Sequence, residues 1–198
     1  MTVFLVDDEA TVRKAVGRLL RSEGLEVAEY RSSEEFLAAY DPETPGCLLL
    51  DMSMPGLSGL ELQSALAARD CLLPITFLTG RADVPMCAEA MRRGAVDFLT
   101  KPVNDVQLIA SIHRSLEKDR ITRRDRARVE EVQCLLANLT AREREVMDHV
   151  VSGQLNKQIA ADLGIAEKTI KVHRGRVMEK MRVVSVAELV RLVQIAKD

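Results

Sequence analysis

At 198 residues, with 47% hydrophobic and 29% charged side chains and a formal net charge of -2, the chain has the make-up of an ordinary water-soluble protein with room for two small domains. No apolar stretch nears the ~20 residues of a membrane span, and Met1 leads into a strand-like segment rather than a basic signal segment, so a cytoplasmic protein without membrane contact is expected. Cys47, Cys71, Cys87 and Cys134 show no CxxC pairing, which argues against a metal or disulfide framework and for reduced, structural thiols.

In chain order, Thr2 to Val6 reads as a first strand, ending abruptly in Asp7-Asp8-Glu9. Val12, Ala15, Val16, Leu19 and Leu20 then share one helical face, and Gly24 stops that helix. Leu25 to Tyr30 reads as a second strand, and Ser32 or Ser33 caps a short helix to Tyr40. Cys47 to Leu50 follows a Pro/Gly break as an unalternating apolar run, the pattern of a strand covered on both faces, and it delivers Asp51 onto a loop. A helix is expected from Ser58 to about Ala68, a fourth strand from Leu72 to Leu78 ending in Thr79-Gly80, and a helix from Asp83 to Arg93 closed by Gly94. Val96 to Leu99 is a fifth strand, and Lys101-Pro102 precedes a helix with Leu108, Ile109, Ile112 and Leu116 on one side. Alternating strands and helices of this kind predict an α/β doubly wound parallel sheet of five strands.

Such a sheet gathers Asp7, Asp8, Asp51, Thr79 and Lys101 on the rim at its carboxyl edge. A lone Asp after an apolar run is an ordinary turn former, but this company changes its meaning. Clustered carboxylates repel one another unless a cation neutralises them. Hard oxygens suit Mg2+, which takes one or two carboxylates and keeps positions for water and phosphate oxygens. An Asp nucleophile, a cation, a Lys and a hydroxyl suffice for phosphoryl transfer, which needs positioning and charge neutralisation.

The motifs VDDE (6–9), LLDMSMPGLSG (49–59), LTG (78–80) and GAVDFLTKP (94–102) resemble the receiver domain of two-component response regulators, over residues 1–115. The resemblance implies that Asp51 accepts a phosphoryl group from a sensor histidine kinase. It makes Asp7, Asp8, Asp51 and the Ser53 backbone carbonyl the Mg2+ site, with Asp7 acting largely through water. Lys101 would pair with the phosphoryl oxygens, across a cis bond to Pro102. Thr79 and Phe98 match the switch pair, the alternative for Phe98 being an ordinary core aromatic.

Beyond Leu116 the charge balance inverts. Residues 1–115 carry 11 Lys and Arg against 17 Asp and Glu, and residues 116–198 carry 17 against 13, which points to a second half that meets a polyanion. Glu117 to Glu131 alternates charge signs, and Val129, Val132, Leu136 and Leu139 follow at heptad-like spacing. Residues 116–138 are therefore read as a helical linker, either with a dimer seam at its end or as a plain exposed helix.

Residues 139–198 read as a small all-α domain. Thr140 and Glu143 form a capping box for a helix with Val146, Met147 and Val150 inward, and Ser152-Gly153 ends it. Asn156 caps a second helix with Ile159, Ala160 and Leu163 inward, and Gly164-Ile165 turns into a third from about Glu167 to Met181. On that third helix Ile170, Val177 and Met181 form an apolar stripe, with Lys168, Lys171, Arg174 and Arg176 on the rest. This is a helix-turn-helix with a cationic helix able to enter a major groove, against the alternative of a solvated charged face.

LTAREREVM (139–147) and NKQIAADLGIAEKTIKVHRGRVMEKM (156–181), with a fourth helix at Ser185 to Val193, resemble the DNA-binding domain of NarL/FixJ (LuxR-type) regulators. Ala166 departs from the Ser common there as cap of the recognition helix. The resemblance implies that Lys171 and Val172 point at base edges and that Lys168, Thr169, Arg174, Arg176 and Lys157 serve bases or phosphates.

Together these readings describe a response regulator that forms a homodimer when phosphorylated and binds double-stranded DNA to regulate transcription, with RNA polymerase as a further partner. It would be no enzyme beyond self-catalysed phosphotransfer and autodephosphorylation. A haloacid-dehalogenase-type phosphohydrolase would need a second Asp two residues after the nucleophile, where Ser53 stands, and a nucleotide-binding domain would need a Gly-rich loop where DDEA stands. An output through a protein partner shares the first domain.

Overall fold

The computed structural model describes residues 1–80 and 84–196. The chain divides into two compact units, Met1–Arg123 and Arg124–Asp198.

The first unit is built on parallel strands β1 (Thr2–Val6), β2 (Glu26–Tyr30), β3 (Gly46–Asp51), β4 (Ile75–Thr79) and β5 (Asp97–Thr100), in the spatial order β2-β1-β3-β4-β5. Helices α1 (Ala10–Ser22), α2 (Ser33–Ala39), α3 (Gly59–Ala67) and α4 (Val84–Arg92) connect the strands, and α5 (Asp105–Ala137) follows the last. The strand order reverses between β1 and β3, where a doubly wound sheet opens a crevice at its carboxyl edge.

Burial on both faces explains the unalternating runs. Phe4 and Val6 of β1 and Leu48 and Leu50 of β3 face one core with Phe36 of α2, Leu62 and Leu66 of α3 and Ala90 of α4. Val3, Leu5, Cys47 and Leu49 face the other, with Val16 and Leu20 of α1 and Leu108, Ile112 and Leu116 of α5. Successive strand side chains leave on opposite faces, so a strand covered twice is apolar throughout. Burial pushes the Cys47 thiol up to about 12, which keeps it protonated and inert. Gly46 is required where β3 begins, because a Cβ there would lie 1.9 Å from the Thr2 carbonyl oxygen.

The edges of some elements differ from expectation. Leu25 precedes β2, and the fourth strand starts only at Ile75, after Pro74, leaving Leu72 exposed. The helix expected from Asp83 has Val84 as its first described residue, and Asp83 lies outside the described residues.

The largest difference is α5, in which residues 116–137 continue, without interruption, the helix that starts at Asp105. From Ser111 on, polar side chains join its buried face. The Thr76 hydroxyl of β4 lies 3.0 Å from the hydroxyls of both Ser111 and Ser115, all three fully buried. One turn on, buried Asp119 accepts from the Gly46 backbone N–H at 3.0 Å. Arg123 Nε lies 3.0 Å from both Asp119 carboxylate oxygens, and its remaining nitrogens donate to the carbonyls of Pro42, Glu43 and Thr44. Charges read as a solvated face thus seal the helix to the loop before β3.

The second unit packs α6 (Ala141–Val151), α7 (Asn156–Leu163), α8 (Glu167–Lys180) and α9 (Val186–Ile195) around Leu139, Val146, Met147, Val150, Ile159, Ile170, Val177, Met181, Leu189 and Val193. Leu135 and Leu136, at the end of α5, join this core, so two positions of the heptad-like run, Leu136 and Leu139, pack within the unit itself. Thr140 caps α6 in the expected box with Glu143, whose carboxylate also takes the Lys180 ammonium at 2.6 Å. Lys180 donates in addition to the Asn138 carbonyl, tying the end of α8 to the start of α6. Gly164, at φ 64°, closes α7 in the left-handed conformation and opens the turn to α8.

Candidate functional site

β1 ends at Val6 and presents Asp7, β3 ends in Asp51, β4 ends in Thr79, and Lys101 directly follows β5. Because the strands are parallel and in register, these residues arrive on one rim. One carboxylate oxygen from each of Asp7, Asp8 and Asp51 lies within 4.8 Å of the other two, Asp7 and Asp51 being buried and Asp8 exposed. Lys101 Nζ stands 2.9 Å from Asp51 Oδ2, 2.8 Å from Asp7 Oδ2 and 3.4 Å from Glu9 Oε1. The Lys101-Pro102 bond is cis. Ser53 donates its backbone N–H to Asp51 Oδ1 at 3.2 Å, and Glu9 N–H does the same for Asp7 Oδ1 at 2.8 Å.

The electrostatics leave the rim short of positive charge. Burial pushes the Asp7 carboxyl above its ordinary value, against the pull of Lys101. Burial alone would lower Lys101, but the hydrogen bonds of Asp7 and Asp51 outweigh it and raise the ammonium above its usual range, so Lys101 is cationic. One ammonium thus faces the carboxyls of Asp7, Asp8, Glu9 and Asp51. Asp7 Oδ2 is buried, with the Lys101 ammonium at 2.8 Å, and that same ammonium serves Asp51. An all-oxygen donor set of clustered carboxylates that share one ammonium fits a hard divalent cation such as Mg2+.

Thr79 is buried, whereas the Phe98 ring is 37% exposed. Phe98 is therefore no core aromatic, and it lies beside a surface hollow lined by Val106, Gln107, Ala110 and Arg114.

In the second unit, Ile170, Val177 and Met181 turn into the core and leave Lys168, Thr169, Lys171, Val172 and Arg176 exposed on α8, with Lys157 exposed on α7. Arg174 differs from these, because it donates to Asn156 Oδ1 at 2.9 Å. Asn156 is accordingly not the cap of α7. Leu155 holds that position, its N–H taken by Gln158, and Asn156 is the first helical residue, aimed at α8. Ala166 caps α8 without a side-chain hydrogen bond, an omission that costs about 1 kcal/mol.

Sequence reading missed Glu9 as a partner of Lys101, Glu34 as a partner of the loop after Asp51, and the Asp119–Arg123 pair. For the last a signal existed: Ser111, Ser115, Asp119 and Arg123 recur every four residues, continuing the buried face begun by Leu108.

The family described as "Response regulator receiver domain" matches residues 3–113, and that described as "Bacterial regulatory proteins, luxR family" matches residues 137–193. Nodulation protein W of Bradyrhizobium diazoefficiens is 44% identical over 190 residues, covering 96% of this chain and 84% of that protein. Transcriptional regulatory protein FixJ of Azorhizobium caulinodans is 42% identical over 196 residues, covering 99% and 93%. Among solved structures, the response regulator StyR superposes with a TM-score of 0.90 at 44% identity over 98% of both chains. Full-length FixJ from B. japonicum gives 0.61 at 38% identity over 99% of this chain and 97% of that one.

Proposed function

This chain belongs to the response regulators that join a receiver domain to a LuxR-type DNA-binding domain and regulate transcription, and from that premise we propose that Asp51 is its phosphoacceptor. The observation that carries the assignment is the Lys101 ammonium held between the Asp51 and Asp7 carboxylates on the rim where three carboxylates converge. A carboxylate oxygen of Asp51 attacks the phosphorus of the kinase phosphohistidine, the P–O bond forming as the P–N bond breaks and the imidazole leaves. Lys101, whose ammonium lies 2.9 Å from Asp51 Oδ2, then neutralises a phosphoryl oxygen. Asp8, Asp51 and the Ser53 carbonyl would hold Mg2+, with Asp7 acting largely through water, and the bound cation would supply the rest of that neutralisation. Water later hydrolyses the acyl phosphate, so phosphotransfer and autodephosphorylation are self-catalysed.

Thr79 and Phe98 form the switch: the hydroxyl follows the phosphoryl group and the exposed ring turns inward. The change favours a homodimer through the region 83–99, and the dimer presents α8 to paired half-sites on double-stranded DNA, with RNA polymerase as the eventual partner. Lys171 and Val172 face base edges, while Lys157, Lys168, Thr169 and Arg176 serve bases or phosphates; Arg174 does so only by leaving Asn156. A cytoplasmic location follows from these partners, and no described helix is long and apolar enough to cross a membrane. We divide the chain functionally as receiver 1–115, linker 116–138 and DNA-binding domain 139–198.

The experiment is labelling with a small phosphodonor and Mg2+. The protein should gain an acid-stable, base-labile acyl phosphate and sediment at higher mass, and Asp51→Asn should show neither. Full labelling of that variant would place the nucleophile elsewhere.

A further inference from the structure

The loop from Met52 to Ser58 carries the Ser53 carbonyl and the Ser53 N–H that restrains Asp51, so its position sets the position of the reacting carboxylate. Several contacts fix its two ends. Met52 N–H donates to the Leu78 carbonyl at 2.8 Å, Gly59 N–H to the Met52 carbonyl at 3.2 Å, and the Ser58–Glu61 box caps α3. Met52 and Met54 are buried. The crest, Pro55-Gly56-Leu57, is reached from a distant helix by Glu34 in the first turn of α2, whose Oε1 accepts from Leu57 N–H at 2.9 Å.

Gly56 adopts φ +79°, and a Cβ there would lie 2.7 Å from that same Glu34 oxygen, so the carboxylate sits directly over the backbone of the crest. The Leu57 N–H, the Glu34 N–H and the Ser32 hydroxyl hold the Glu34 carboxyl below the usual carboxylate range, and it is an acceptor at neutral pH. Its partner is backbone, so the contact constrains the path of the loop rather than the placement of one side chain.

We propose that Glu34 is a positioning residue for phosphoryl transfer, fixing the crest of the 52–58 loop so that the Ser53 carbonyl and Asp51 stay aligned for the cation and the phosphodonor. The proposal rests on the reading of Asp51 as phosphoacceptor. Hydrogen-bonded groups behind metal ligands typically contribute 10- to 100-fold to affinity or activity. This one is exposed to water, so about three- to tenfold is expected.

The test uses the full chain as wild type, Glu34→Ala and Glu34→Gln. It measures the labelling rate of Asp51 by a small phosphodonor, the affinity for Mg2+ alone by titration, and hydrogen exchange of the Leu57 amide. Glu34→Ala should slow labelling and weaken Mg2+ binding about three- to tenfold and speed Leu57 exchange, at an unchanged melting temperature. Glu34→Gln keeps an oxygen at the same place and should recover most of all three. Wild-type labelling and Mg2+ affinity in Glu34→Ala would overturn the proposal. Equal defects in Ala and Gln would overturn it as well, because charge and not the hydrogen bond would then be the cause. A wild-type protein that does not label at Asp51 would overturn the phosphoacceptor reading and this inference together; a labelled wild type with an indifferent Glu34→Ala sinks the inference alone.

Discussion

Replacing Asp119 by Ala should destabilise the receiver although the residue lies in a stretch that looks like solvent-facing linker. Two losses combine. The Gly46 N–H, which donates to Asp119 at 3.0 Å within the interior, is left without its partner, at about 1–3 kcal/mol. Arg123 loses its counter-ion; breaking a fully buried pair costs about 3–5 kcal/mol, but the Arg123 side chain is 31% exposed and keeps three backbone carbonyls, so about 1 kcal/mol is the proper share. The sum is about 2–4 kcal/mol. At roughly 2.1 cal/mol/K per residue, unfolding a unit spanning Met1–Arg123 changes entropy by about 0.26 kcal/mol/K, so the receiver transition should fall by roughly 8–15 °C. Asp119→Asn keeps an acceptor for Gly46 and should lose about half as much. Differential scanning calorimetry of the full chain measures the transition, and hydrogen exchange at Gly46 assigns it. A shift of under ~2 °C for Ala, or equal losses for Asn and Ala, would refute the reasoning, since either outcome means that the Gly46 bond is not what Asp119 contributes.

Two further outcomes follow from the second unit and its helix α8. Glu143 is held near a pKa of about 2 by Lys180 and then by the Thr140 N–H, against an ordinary value of 4.5. A depressed carboxyl contributes stability that is complete above about pH 4.5 and is lost as pH falls toward 2. The denaturant midpoint of the second unit should therefore drop across that window in the wild type. Glu143→Gln should be less stable at pH 7 and should lose that part of the acid dependence; an unchanged acid profile would count against the assignment. For DNA, a salt titration on operator and scrambled duplex should separate two kinds of contact. Arg176→Ala should weaken both duplexes and flatten the salt slope by about one unit, and Lys171→Ala should cost about 1–3 kcal/mol on the operator alone. Four titrations unmoved by the substitutions would exclude α8 as the reading helix.

The sheet, its helices and the rim residues were legible because each is written locally. An apolar run covered twice, a Gly stop or a capping box declares its element within a few residues, and parallel topology then brings the strand ends together. Asp7, Asp51, Thr79 and Lys101 were found in this way. What escaped were side chains whose partners are backbone groups far along the chain. Glu34 serves Leu57 with no periodic trace, and Asp119 and Arg123 serve Gly46 and the carbonyls of 42–44, where the four-residue spacing marks the buried face but not the partners it meets. Asn156 shows the converse: its residue type suits a cap, but tertiary structure gave its side chain to Arg174. Likewise the alternation of charge after Leu116 was sound evidence of a helix and poor evidence of which face is wet.

The hydroxyls on the buried face of α5 carry one more consequence. Apolar contacts tolerate sliding, because one methyl serves nearly as well as the next. Here the rungs differ in kind: Ser111 and Ser115 meet Thr76, and Asp119 meets the Gly46 N–H. Sliding the helix by one turn, about 5.4 Å, would in one direction set the Asp119 carboxylate against Thr76 and leave the Gly46 donor facing Arg123, which has no acceptor, and in the other would exchange the Asp119 carboxylate at Gly46 for the shorter Ser115 hydroxyl and bring Gln107 to Thr76. The polar ladder therefore acts as a key with a single notch, and the receiver part of α5 is held to one axial setting by three side chains in the first half of the helix.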